Sequence, residues 1–296
     1  MGTTEQKESN PQPDRVGLLA GNGRFPIEFA RAASRHGVSV VAIGLKKETS
    51  PELENYVDEI HWTGLAKLGK WIKIFKSAGV EHAVMCGGVE KSKMYPNITR
   101  YMPDLRSMKV WYENARSRAD HTLLEAVVKE FKQEGIAIES SVLYCPDLLA
   151  EEGALTKLEP SDEQWEDIRF GWPRAKEIAR MQIGQTIVVK DRAVIAVEGM
   201  DGTDATIKRG GRIAGEGTVV IKVAKENHDP RFDIPCIGPE TVNVLSEAGA
   251  AVLAVAAGNT IVLDDDATTA RAEKAGVVIT AVSPEQIGDG DESRES

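Results

Sequence analysis

With 296 residues, 42% of them hydrophobic and 28% charged, the chain has the make-up of a soluble globular protein, long enough for two domains of about 150 residues each. A net charge of -10, a pI near 5.2 and the lack of any basic block exclude a nucleic-acid partner, because a polyanion would be repelled at long range. Cys86, Cys145 and Cys236 lie far apart without metal-ligand spacing and read as reduced thiols of a cytoplasmic protein; no apolar run reaches the roughly 18 to 20 residues of a membrane span, and the N-terminus reads as polar and acidic where a signal peptide would be basic then apolar.

Residues 1–14 are polar, hold two prolines and show no periodicity, so a disordered segment is expected there. Val16 to Ala20 reads as a buried strand, Gly21-Asn22-Gly23-Arg24 as a turn, and Pro26 as the first turn of a helix that stops at Gly37. A strand from Val38 to Ile43 completes a βαβ unit, whose right-handed crossover makes its strands parallel. The alternation continues with a helix over Ala66 to Ala78, a strand over Ala83 to Cys86 that breaks at Gly87-Gly88, a helix over Thr122 to Glu134 and a strand over Ile136 to Ile138. These elements predict an α/β fold, with a Rossmann-like parallel sheet spanning residues 15–155.

Glycines directly after two apolar strands, Gly21 and Gly23 after one and Gly87 and Gly88 after the other, stand where open parallel sheets present their ligand crevice. They are read, with Asn22, as half of a binding site. Pro26 occupies the place of the third glycine of GxGxxG, so the dinucleotide fingerprint is missing and a nicotinamide cofactor is disfavoured.

A polar, irregular stretch from Thr156 to Asp162, with Pro160 and a helix-capping Ser161-Asp162, is read as the linker to a mixed α/β C-terminal domain over residues 156–283. Its first helix, from Asp162 to Met181, is expected to break near Gly171-Trp172-Pro173. Gln185 to Lys190 and Arg192 to Val197 then form a hairpin, and Gly217 to Val223 a strand. After a short helix over Thr241 to Ala248, Val252 to Val255 and Thr260 to Leu263 are expected to pair across Gly258-Asn259. A helix over Ala267 to Ala275 and a strand over Val277 to Val282 close the domain, and residues 284–296 read as a mobile acidic tail.

The densest chemistry lies between Glu198 and Pro239, where acidic groups, basic groups and glycines surround short apolar runs, as a site for phosphate and a cation requires. Asp233, in Arg231-Phe232-Asp233-Ile234-Pro235, can bind a divalent cation or orient a water; its alternative is a structural pair with Arg231. Asp201 and Asp204, flanking Gly202-Thr203, can share a cation, or Asp204 can cap the helix running to Lys208. Lys222 and Lys225 can clamp a diphosphate with Arg231, or form a solvated edge. His228 beside Asp229 and His121 beside Asp120 are general-base candidates, while neither a GxSxG elbow nor an HExxH helix occurs.

Ala20-Gly21-Asn22-Gly23-Arg24-Phe25-Pro26, then Gly202-Thr203-Asp204-Ala205, then Arg231-Phe232-Asp233-Ile234-Pro235-Cys236-Ile237-Gly238-Pro239, in this order, resemble the LpxI family of UDP-2,3-diacylglucosamine pyrophosphatases of lipid A biosynthesis. The resemblance covers about Arg15 to Val282. It implies a Rossmann-like domain without nicotinamide, a C-terminal domain peculiar to the family, and a lipid held between them. It further implies hydrolysis of the diphosphate with a divalent cation, typically magnesium, to give UMP and 2,3-diacylglucosamine 1-phosphate. The family's essential aspartate falls on Asp233, and its Gly-Thr-Asp on Gly202, Thr203 and Asp204, so Asp233 and Asp204 are the expected catalytic acids. Asp233, Asp204 and Asp201 are the expected metal ligands. A homodimer, cytoplasmic and in peripheral contact with the inner membrane, is the expected setting; the alternative function is a lipid or nucleotide-sugar carrier that uses the same cleft without turnover.

Overall fold

The computed structural model describes residues 14–89, 102–113, 120–225, 229–232 and 234–288. By its contacts the chain divides into two compact units, one ending at Tyr144 and the other beginning at Cys145.

In the first unit the alternation read from the sequence is realised. β1 (Arg15–Ala20), β2 (Ser39–Leu45), β3 (Glu59–Thr63), β4 (His82–Cys86) and β5 (Ala137–Ile138) form one parallel sheet in the order β3-β2-β1-β4-β5. β1 and β2 are buried along almost their whole length, which is why they read as unbroken apolar runs. The helices α1 (Phe25–Arg35), α2 (Leu68–Ser77), α3 (Leu105–Glu113) and α4 (Asp120–Gln133) accompany the sheet. β3 and α3 are absent from the sequence reading: β3 is a mostly half-exposed edge strand, and α3 lies between two stretches outside the described residues.

In the second unit β6 (Gly153–Ala154), β7 (Thr186–Lys190), β8 (Ala193–Val197), β9 (Thr218–Lys222), β11 (Ala250–Ala256) and β13 (Val278–Val282) form a mixed sheet in the order β6-β13-β11-β9-β7-β8. β9, β11 and β13 are parallel, whereas β6, β7 and β8 each run antiparallel to the strand beside them. The sheet has helices on both faces. Ile187, Val189, Val219 and Ile221 pack against Ile168, Trp172 and Ala175 of α5 (Asp162–Arg180). Val188, Val220, Leu253 and Ile279 pack against Ile207 of α6 (Gly202–Ala214), Leu245 of α7 (Pro239–Glu247) and Ala272 of α8 (Asp265–Ala275).

Three expectations are corrected here. α5 is continuous through Gly171-Trp172-Pro173, and Gly171 is there for packing, since a Cβ would run into Ile221 Cδ1 and stand 2.8 Å from Val189 Cγ2. The stretch after Gly258 does not pair with β11; β12 (Ile261–Val262) pairs in parallel with β10 (Cys236–Ile237), while β11 is flanked by β9 and β13. The sequence places the first domain's end at Leu155, yet Gly153 and Ala154 are strand partners of Ala281 and Thr280, so the units divide before them.

Among the described residues no helix is long and apolar enough to cross a membrane. Residues 1–13 and 289–296 lie outside the described residues, whereas Pro284–Ile287, at the start of the expected mobile tail, form a short helix.

Candidate functional site

In the first unit the strand order reverses between β1 and β4, the place where open α/β sheets leave a crevice at their carboxyl ends. The two predicted glycine turns meet there. Gly21 N donates to the Cys86 carbonyl at 2.8 Å, Asn22 N to the Gly88 carbonyl at 2.7 Å, and Gly88 N to Asn22 Oδ1 at 3.2 Å. Only glycine fits at the crossing: a Cβ on Gly21 would fall on the Gly88 carbonyl oxygen, and one on Gly87, whose φ is +82°, on the Asn22 carbonyl oxygen. Gly23, with φ +83°, has open space around it. Asn22 Nδ2 reaches Glu48 Oε2 at 3.3 Å, tying the turn to the loop after β2.

In the second unit, β8 and β9 run in the same direction, so Glu198 just past β8, the N-terminus of α6, and Lys222 ending β9 share one edge of the sheet. Glu198, only 9% exposed, is a buried carboxylate beside α6 to which the sequence reading gave no role of its own. Its Oε2 accepts from Gln185 N at 3.1 Å and its Oε1 from the Thr203 hydroxyl at 3.0 Å, while Thr203 Oγ1 also lies 3.4 Å from Thr186 Oγ1. A buried carboxylate with two hydrogen-bond donors thus fixes the first turn of α6. Its signal in the sequence was an acid directly after an apolar strand, which spacing alone cannot tell from a solvated turn.

Gly202, with φ +83°, turns the chain into α6. Asp201 holds its N-cap position without capping it: the carboxylate is ion-paired with Arg209 and accepts from Gly199 N at 3.1 Å. The Arg209 guanidinium, ahead of the backbone hydrogen bond, holds the Asp201 carboxyl below the usual aspartate value. Arg209 also donates to the Val197 carbonyl at 2.7 Å. Asp204 is exposed in the first turn of α6. Lys222 is 7% exposed and donates through Nζ to the Cys236 carbonyl at 2.9 Å. Burial pushes the Cys236 thiol up to about 11, against the opposing pull of the Lys222 ammonium. Lys225, half-buried, lies three residues beyond β9.

The carboxylate that engages Arg231 is Asp229, which accepts from the guanidinium Nε at 2.8 and 2.9 Å and from its Nη2, and also takes the Arg231 backbone N–H at 3.0 Å. Asp233 and His228, and the side chain of His121, lie outside the described residues. Of the three predicted metal ligands, Asp201 is committed to Arg209 and Asp204 is exposed. Among the described residues no group of three or more His, Cys, Asp or Glu side chains could hold a metal ion. They do not amount to a protein-built cage; Asp204 fits a cation that brings most of its own ligands.

Residues 15–148 match the family model of the LpxI N-terminal domain, and residues 151–280 that of the LpxI C-terminal domain. The chain belongs to the LpxI family. It is 31% identical over 282 residues to the UDP-2,3-diacylglucosamine pyrophosphatase LpxI of Caulobacter vibrioides, covering 92% of this chain and 99% of that protein. Among solved structures it is similar to the biotin carboxylase subunit of a pyruvate carboxylase, at 14% identity and a TM-score of 0.27, over 69% of this chain and 42% of that one. The biotin carboxylase domain of the Hydrogenobacter thermophilus 2-oxoglutarate carboxylase matches at 15% identity and a TM-score of 0.27, over 67% and 41%. At such scores neither likeness bears on this LpxI chain's site, and each spans less than half of the solved chain.

Proposed function

We propose that this LpxI-family chain hydrolyses the diphosphate of UDP-2,3-diacylglucosamine to UMP and 2,3-diacylglucosamine 1-phosphate, a step of lipid A biosynthesis. The observation that carries the reading is the Caulobacter vibrioides relative of that name, aligned over nearly its full length and over both units of this chain. Water adds to the phosphorus on the sugar side; its bond to the bridging oxygen breaks, and UMP leaves with that oxygen.

The chain's residues divide the work by chemistry. Asp233 and Asp204 are the acidic groups that ready the water and meet a divalent cation, with magnesium the cation proposed. Such an ion is commonly held by one or two carboxylates plus substrate phosphates, and it supplies charge neutralisation and a polarised phosphoryl oxygen. Lys222, Lys225 and Arg231 offset the charge of the diphosphate, and the exposed N-terminal turn of α6, with Gly202 and Thr203, faces the developing negative charge. Gly21, Asn22, Gly23, Gly87 and Gly88 hold the nucleotide side of the substrate at the strand-order reversal. Asp201, committed to Arg209, positions α6 rather than ligating. The protein works as a cytoplasmic homodimer in peripheral contact with the inner membrane, where a diacyl substrate resides.

Incubation of the purified protein with magnesium and UDP-2,3-diacylglucosamine is expected to release UMP, and Asp233→Ala to stop that release while the lipid still binds. An undiminished rate in Asp233→Ala would overturn the role of that residue. Tight lipid binding by wild type without UMP would make the chain a carrier instead.

A further inference from the structure

In the first unit, α3 (Leu105–Glu113) is a helix turned inside out. Its polar residues are spent on the unit's interior: Arg106 donates through Nε to the buried Glu130 of α4 at 2.5 Å and pairs with Glu134 at 2.8 Å, and Ser107 Oγ accepts from Leu68 N of α2 at 3.0 Å. Asp104, just before the helix, accepts from Ser107 N and from Gly69 N, each at 2.8 Å. Of the apolar residues of α3 only Val110 is buried. Leu105 is 86% and Tyr112 81% exposed, and Met102, Met108 and Trp111 are each more than half exposed. Leu105, Met108 and Tyr112 recur at spacings of three and four, so they form one stripe along the helix, with Lys109 on the same face. Soluble chains scatter exposed apolar residues singly, whereas a contiguous stripe marks a surface that something covers.

The charge around the stripe tells which cover fits. α2 and α3 together carry five basic residues and a single acid, Glu113, in a chain whose net charge is -10. Lys76 and Arg106 are engaged with Glu134 and Glu130, while Lys70, Lys73 and Lys109 are exposed, the last 3.9 Å from Glu113. Glu125 and Lys129, exposed on the neighbouring α4, offset each other. A second copy of the chain would set these lysines against their own kind, and five apolar side chains fall far short of the roughly 20–30 residues a side of a stable protein interface. An anionic lipid surface answers both halves of the pattern. Acyl chains take Leu105 and Met108, the headgroup layer takes the amphipathic rings of Trp111 and Tyr112, and lipid phosphates take the lysines, whose stems lie along the apolar face.

We propose that α3 is a docking helix, which lays its apolar stripe into the headgroup boundary of an anionic bilayer with Lys109 and the lysines of α2 on lipid phosphate. The inference rests on the proposed function, whose diacyl substrate is a membrane lipid, and deepens it by naming the face through which the protein meets that membrane.

The test is co-sedimentation of the full-length protein with vesicles of phosphatidylethanolamine and phosphatidylglycerol, against vesicles of phosphatidylcholine alone. Wild type is expected to favour the anionic vesicles, and Lys109→Glu to lose about fivefold or more of that partition, the scale of one basic residue near an anionic surface. The double substitution Leu105→Glu and Tyr112→Glu should lose about tenfold or more. Both positions are exposed, so the double variant should melt with wild type. UMP release then separates docking from chemistry: the double variant is expected to match wild type on substrate in detergent micelles and to fall about tenfold on substrate held in anionic vesicles. If wild type sediments with neither vesicle, or the double variant sediments as well as wild type, the inference is overturned, although hydrolysis in micelles leaves the substrate reading standing. A wild-type dimer that the double substitution splits into monomers would make this face a contact between copies, and overturns the inference too. If wild type docks through this face yet releases no UMP in micelles or vesicles, the substrate reading falls while the lipid surface stands.

Discussion

Glu198 shows what a single buried carboxylate does at this sheet edge. It takes one donor from the β7 side and one from the α6 side, so Glu198→Ala leaves the Gln185 N–H and the Thr203 hydroxyl without their acceptor. The expected cost is about 1–3 kcal/mol for each donor that water does not reach, read as a lowered urea midpoint, with Glu198→Gln costing less because one acceptor survives. Equal midpoints for Glu198→Ala and wild type would mean that Glu198 does not hold the turn. Asp201 gives a pH-dependent counterpart. Its folded-state value is depressed by Arg209, so its contribution is complete above the ordinary aspartate range near pH 4 and fades as the pH falls through the depressed value. The stability of wild type should therefore drop more steeply below about pH 4 than that of Arg209→Met, which lacks the pair. Cys236 stays protonated at neutral pH because burial raises its thiol to about 11, so alkylation at pH 7.5 should be slow in the folded protein and fast after denaturation. At this scale the sequence named candidate glycines and charges, but not the partners that the structure gives them. Arg231 pairs with Asp229 two residues before it, and Asp201 with Arg209 eight residues on, choices set by how loop and helix bring side chains together.

Among the elements, regular alternation was legible and lateral pairing was not. The run Ala250-Ala251-Val252-Leu253-Ala254-Val255-Ala256 has no polar face, the mark of a strand covered on both sides within a parallel set, and this outweighs the hairpin signal of Gly258-Asn259. The β7–β8 hairpin, by contrast, was announced by its β-branched runs. Its turn residues Asp191 and Arg192 both have positive φ, 52° and 56°, and their N–H groups are held by Asp167 of α5 at 3.1 and 2.6 Å. Left-handed backbone disfavours a side chain, so Arg192→Gly should raise stability by up to about 1 kcal/mol, the turn hydrogen bonds remaining in place. Gly171 predicts the opposite sign. The α5 backbone lies so close to Val189 and Ile221 that Gly171→Val would force helix and sheet apart, at roughly 1–3 kcal/mol. Thermal melts of the two variants should move in opposite directions; parallel shifts would contradict this account of both contacts.

At the scale of the molecule, the division into two units was legible from composition, but its position was not. The polar stretch around Pro160 looks like a linker, yet β6 comes before it in the chain and pairs with β13 near the other end, a contact between residues some 127 apart that local patterning does not encode. The second unit buries two apolar layers of its own, one on each face of its sheet, and its strands find all their partners inside residues 145–288. A fragment covering residues 145–288 should therefore unfold in one cooperative transition, whereas one starting at residue 156 loses β6, exposes the outer edge of β13 and should be less stable or aggregate. If both fragments melt alike, β6 does not belong to the folding unit. The same fragment carries Asp204, Lys222, Arg231 and Asp233 but none of the glycine turns. Under the proposed function it should release no UMP from the lipid at any magnesium concentration, and activity in it would confine the whole reaction to the second unit.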